Sequence, residues 1–128
     1  MRNIGPDAAW TVSGRVLKEN GSTEHGPTLP FAIQWEEAQR GESHLFLKTN
    51  ALGTIQFARS ISTPKSKWRY FTVAGLGQFQ WHREKHEPPI LEIELTFLTD
   101  RVEDDPIVVA YEISDTAKDG ITIRPLAP

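Results

Sequence analysis

Leu91-Glu92-Ile93-Glu94-Leu95-Thr96-Phe97 alternates apolar and polar residues without a break. Successive side chains of a strand leave opposite faces, so this stretch predicts a strand with one face toward a core and one toward water. The same period recurs in both directions from it. Trp10, Val12, Gly14 and Val16 alternate with Thr11, Ser13 and Arg15. Phe31, Ile33 and Trp35 form another set, then Leu45 and Leu47, then Ile55 and Phe57. Ile107, Val109, Tyr111 and Ile113 follow, and Ile121 and Ile123 close the series. Between the runs stand Asn20-Gly21, Arg40-Gly41, Leu52-Gly53, Ala74-Gly75, Pro88-Pro89, Asp104-Asp105-Pro106 and Asp119-Gly120. These residues supply the positive-φ or φ-locked positions that chain reversals need. Glu36 to Arg40 and Asp115 to Lys118 offer one helical turn each at most. Short strands punctuated at regular intervals predict an all-β fold, an antiparallel two-sheet β-sandwich of roughly seven to nine strands.

The chain has 128 residues, a single domain's length, read as one sandwich over 1–128 with tails at 1–8 and 124–128. Its predicted core is Trp10, Val12, Val16, Phe31, Ile33, Trp35, Leu45, Leu47, Ile55, Phe57, Tyr70, Leu91, Ile93, Leu95, Val109 and Tyr111. Large apolar side chains contribute about 1.5–3 kcal/mol each when buried, so this set needs no disulfide or metal staple. Cysteine is absent, which excludes disulfides, thiolate nucleophiles and Cys-ligated zinc. The net charge of −3 argues against a broad nucleic-acid footprint. No apolar run approaches the roughly 20 residues of a membrane-spanning helix, so no membrane insertion is expected. No secretory h-region opens the sequence. The compartment stays open; as written, the chain reads as cytoplasmic.

Val12-Ser13-Gly14-Arg15-Val16, a turn with Gly21, the run Phe31 to Trp35, Thr49-Asn50-Ala51-Leu52-Gly53-Thr54-Ile55-Gln56-Phe57 and Tyr70 to Gly75 occur in that order. Together they resemble the carboxypeptidase regulatory-like domain of the transthyretin-like group. The resemblance covers about Trp10 to Gly75. It implies an antiparallel Ig-like or transthyretin-like β-sandwich, and a binding or scaffolding role rather than catalysis, often in extracytoplasmic proteins. The transthyretin-like enzymes that hydrolyse hydroxyisourate end in Tyr-Arg-Gly-Ser, whereas this chain ends Arg124-Pro125-Leu126-Ala127-Pro128. Gly53 is expected to make a tight reversal, with the Asn50 side chain supporting the turn.

Six residues stand out as candidate binding groups: Trp68, Tyr70, Phe79, Trp81, His82 and His86. Exposed aromatics on a sandwich stack on sugar rings or anchor a protein interface. Gln78 and Gln80, read with the Trp81 side of their strand, add hydrogen-bonding groups. Burial under the second sheet is the simpler reading of both Trp68 and Trp81. His82 and His86 are spaced as metal ligands would be on a helix, but the two prolines at 88 and 89 oppose a helix, and Arg83 stands where a metalloprotease needs Glu. A charged hairpin loop is the simpler reading. The acidic turn of Asp100, Glu103, Asp104 and Asp105 lacks the glycine spacing of a calcium loop. Arg59, Lys65, Lys67 and Arg69 read as a solvated basic face rather than a nucleic-acid site. No phosphate-cradling loop or nucleophile elbow occurs.

The expectation is therefore a non-catalytic protein-interaction or scaffold module, with no cofactor, a protein partner or larger assembly, and no nucleic acid. A carbohydrate-binding module built on exposed aromatics is the alternative. A metal-dependent enzyme using His82 and His86 is the third.

Overall fold

The computed structural model describes residues 1–19, 30–61, 63, 65–73, 76–116 and 120–126. The expected turns at Asn20-Gly21 and Ala74-Gly75 lie outside the described residues, as do Asp119 and the last two positions. The fold is all-β, with nine strands among the described residues. They are β1 (Ala8–Glu19), β2 (Phe31–Ile33), β3 (His44–Leu47), β4 (Ala58–Ser60), β5 (Trp68–Val73), β6 (Gly77–His82), β7 (Ile90–Thr99), β8 (Ile107–Thr116) and β9 (Gly120–Pro125). One sheet runs β2-β1-β7-β8-β9, with β3 also paired to β1, and the other runs β4-β5-β6. All pairings are antiparallel.

The alternation of Leu91 to Phe97 puts Leu91, Ile93, Leu95 and Phe97 in the core. Register carries that phase across the large sheet. Val12 pairs Phe97, Val16 pairs Ile93, and Leu91 pairs Ile113. Phe71, Val73 and Trp81 from the small sheet close the core from the other side. On the large sheet's outer face, Arg15–Glu94, Lys18–Glu92 and Arg124–Glu112 are cross-strand ion pairs at 2.9, 3.8 and 2.9 Å.

Nine of the sixteen expected core residues are buried: Trp10, Val12, Ile33, Trp35, Leu47, Phe57, Leu91, Ile93 and Leu95. Val16, Phe31, Leu45, Ile55, Val109 and Tyr111 are half-buried against them. Tyr70 is a correction: it is half-buried on β5, in the opposite phase to the buried Phe71 and Val73. The run Thr54 to Phe57 is also not a strand, since β4 begins at Ala58. Asp115 lies within β8 rather than opening a helical turn. The first residues are tied down: Arg2 bridges Leu52, and Asn3 is buried, its amide donating to the carbonyls of Pro6 and Leu47.

Trp35 organises one end of the core. Its indole N–H donates to the Trp10 carbonyl at 3.0 Å. Its ring lies over Gly53, where an added Cβ would sit 2.7 Å from Trp35 Cζ3 and 3.2 Å from Leu47 Cδ1. Gly53 is therefore required for close packing. The positive φ of this turn belongs to Asn50, at 69°. Glu36 N–H donates to the Thr54 carbonyl, and the Thr54 N–H donates to Glu37 Oε2, which fixes the segment after Trp35 to the residue after Gly53.

Two outcomes follow from this clamp. Gly53→Ala forces a methyl into the Trp35 ring and should cost about 1–3 kcal/mol, read by urea unfolding with an unchanged slope. The Thr54 N–H, and after it the Thr54 hydroxyl, hold the Glu37 carboxyl below its ordinary value. A depressed carboxylate adds stability that is fully present above its unfolded pKa and is lost as pH falls through the folded one. Glu37→Gln should therefore flatten the acid side of the melting-temperature profile while leaving the dependence above pH 7 unchanged. An identical acid limb would show that the contact does not stabilise the fold.

Candidate functional site

The β5–β6 hairpin carries five of the six candidate residues within its strands, and His86 follows in the adjoining turn. Register pairs Trp68 with His82, Arg69 with Trp81, Tyr70 with Gln80, Phe71 with Phe79 and Thr72 with Gln78. Directly opposed residues share a face. Arg69, Phe71, Val73, Phe79 and Trp81 thus turn toward the large sheet. Trp68, Tyr70, Thr72, Gln78, Gln80 and His82 turn away from it. Gln78 and Gln80 therefore lie opposite to Trp81, not with it.

The two tryptophans separate accordingly. Trp81 is 4% exposed, and Trp68 is 42% exposed. Burial under the large sheet thus holds for Trp81 and fails for Trp68. Phe79 is half-buried and stacks on Phe71 at 5.1 Å between ring centroids. Trp68 meets the His82 ring edge-on at 5.0 Å and lies tilted to His86 at 6.5 Å.

Arg69 corrects the reading of a solvated basic face. It is 3% exposed and reaches across the core to Asp115, which is fully buried. Arg69 Nη2 lies 3.4 Å from Asp115 Oδ1, and Arg69 Nη1 donates to the Thr63 carbonyl at 3.0 Å. Trp81 Nε1 donates to the other carboxylate oxygen at 2.8 Å. Arg69 Nε is buried without a partner among the described residues. The cluster joins β5 and β6 of one sheet to β8 of the other.

The imidazoles cap a turn. His82 is 7% exposed, and its Nδ1 accepts the Glu84 N–H at 3.2 Å. His86 Nδ1 accepts the His82 N–H at 3.0 Å, while the His82 carbonyl accepts the N–H groups of Lys85 and His86. A neutral imidazole that accepts at Nδ1 carries its hydrogen on Nε2. Neither ring then offers a free lone pair to a metal. Among the described residues no group of three or more His, Asp or Glu is placed to hold one. In the acidic turn, Asp100 accepts the Ala9 N–H, and Asp104 accepts the Thr99 hydroxyl and faces Arg101. Glu103 is held below the ordinary carboxylate value by its own main-chain N–H and by Arg101.

A groove of about 740 Å³ runs along the inner side of β6. Phe79, Trp81, Pro88, Pro89 and Ile90 line it with apolar surface; Glu19, Lys85 and Glu87 supply its charge. Beside it, β6 is an edge strand among the described residues. The Ile61 N–H donates to the Tyr70 carbonyl, so the main chain of Tyr70 faces β4. Its partner Gln80 then presents N–H and C=O to the open edge, as does Gln78 two residues away. Periodicity alone does not single out β6 as this edge, because it reports which face is buried, not which strand ends a sheet.

No protein-family model, curated protein or solved structure matches this chain. No helix among the described residues is long and apolar enough to cross a membrane.

The buried cluster has a measurable signature. Asp115→Ala strands the Arg69 charge in the core and should cost about 3–5 kcal/mol. Replacing both partners, as Arg69→Met with Asp115→Leu, should restore most of that loss by denaturant unfolding, because the incompletely bonded guanidinium leaves as well. A double variant no more stable than Asp115→Ala would show that the pair contributes through its own attraction.

Proposed function

We propose that the protein is a non-catalytic interaction module that takes an extended segment of a partner protein along β6. The observation that carries this is the apolar groove lying against an open strand edge. An added strand would satisfy the free N–H and C=O groups of Gln78 and Gln80. Its alternate side chains would drop toward Phe79, Trp81 and the two prolines, while its other side chains would face the Gln80 side. Backbone pairing supplies affinity in this mode, and the pockets supply selectivity. Lys85 and Glu87 at the groove set the charge preference of the segment. The turn at His82 to His86 fixes where pairing stops, because it already takes the outward N–H and C=O of His82.

Gln80→Pro is the discriminating variant. It removes one outward N–H without removing a bond to β5, and proline is tolerated on edge strands. Native-source affinity capture with wild-type bait should give one stoichiometric protein partner. The folded Gln80→Pro bait should bind that partner at least about tenfold more weakly, which corresponds to 1.4 kcal/mol. Amide exchange at Gln78 and Gln80 should slow in the wild-type complex. Equal binding by the folded proline variant, or capture of no partner by the wild type, overturns the reading.

A further inference from the structure

The outer face of the small sheet differs in charge from the rest of this acidic chain. Its strand positions carry Arg59, Trp68, Tyr70, Thr72, Gln78, Gln80 and His82 and no carboxylate. On the large sheet, by contrast, Arg15, Lys18 and Arg124 are each matched to a glutamate. Arg59 opposes Thr72 at one end of the small face, and Lys65 and Lys67 precede Trp68 at the other. All three cations are exposed, and none has an ion-pair partner among the described residues.

Between these cations lie the exposed Trp68 ring, the half-buried Tyr70 and two side-chain amides. The Trp68 ring is braced by the edge-on contact with His82, so little rotamer freedom is left to lose when a ligand stacks on it. A protein hot spot needs a packed, water-excluding apolar centre. This face instead sets one flat aromatic among hydroxyl and amide groups, which suits a ligand with a ring face and a hydroxylated rim. A single-stranded nucleic acid would need cations along the whole track of its phosphates. Here the middle of the track is neutral, and the charge stands only at the ends.

We propose that this face binds an anionic glycan, with Trp68 stacking on one sugar ring, Gln78 and Gln80 bonding hydroxyls, and Arg59 and the 65–67 lysines meeting acidic groups. This site lies on the face opposite the groove, shares Gln78 and Gln80 with the strand edge through their side chains rather than their main chain, and does not depend on the peptide reading.

The test is titration of the protein, by calorimetry and tryptophan fluorescence, with a galacturonate tetrasaccharide and a chondroitin sulfate tetrasaccharide. Cellotetraose and an eight-residue oligothymidylate serve as comparators. At least one anionic glycan should bind, and its affinity should fall several-fold as salt rises from about 50 to 300 mM, since exposed charges are screened. Trp68→Ala should weaken it at least tenfold, with Arg59→Gln weakening it less and lowering the salt dependence. Both positions are exposed, and unchanged melting would confirm that the variants fold. Binding of neither anionic glycan overturns the proposal, as does equal binding of cellotetraose. So does oligothymidylate binding that is tighter, or glycan binding indifferent to Trp68→Ala.

Discussion

The Asp115 carboxylate, fully buried between the two sheets, decides what the small sheet shows to solvent. It draws Arg69 inward from β5 and Trp81 inward from β6. Strand geometry then leaves Trp68 and Tyr70, one residue on either side of Arg69, no choice but the outer face. Gln80 and His82 follow in the same way from Trp81. A slip of one residue in β5 would bury Trp68 and Tyr70 and strand Arg69 in water. Asp115 would then lie buried without its cation, which is among the costliest arrangements a core can hold. The ion pair therefore fixes phase whatever its net contribution to stability, with Arg69 Nε left without a partner among the described residues.

Most of the large sheet was legible because β7 offers a single apolar phase and register carries that phase to its neighbours β1 and β8. Leu91 to Phe97 and Ile107 to Ile113 have apolar residues at every second position, and the buried ones obey that reading through to Phe97 and Ile113. The small sheet was not legible in the same way. In Trp68-Arg69-Tyr70-Phe71-Thr72-Val73 both phases contain aromatics, and size alone favours the phase with Trp and Tyr. The phase that wins contains an arginine. Its compensation lies 46 residues away in sequence, on a strand of the other sheet. Pattern within a window carries no information about such a partner. Gly53 misled for a related reason: a glycine in a turn reads as a φ requirement, whereas the constraint is the Trp35 ring arriving from another loop.

The same limit applies to the candidate site. Its residue list came from chemical character, and the structure divides that list by face. Phe79 and Trp81 belong to the inner groove, Trp68 and Tyr70 to the outer surface, and His82 and His86 to the turn between them. The resemblance to the carboxypeptidase regulatory-like domain rests on the motif residues from Trp10 to Gly75. All of the groove's lining except Glu19 lies outside that span, so its proposed use stands or falls on geometry alone.

Edge and face also constrain each other. Sheets expose unpaired edges at a cost in aggregation, and natural edges are usually short, charged or covered. On β6 the outward His82 groups are occupied by the turn, which shortens the free edge to the stretch around Gln78 and Gln80. A free edge that short is one of the ways a sheet limits templating of extended strands. The row Lys18, Glu92, Glu112 and Arg124 across the large sheet shows the opposite solution, with each cation ion-paired to the glutamate of the neighbouring strand. Among the described residues, unmatched charge and unpaired backbone coincide at the small sheet. The buried Asp115 is the reason they do, because it holds the apolar and aromatic phases of β5 and β6 apart.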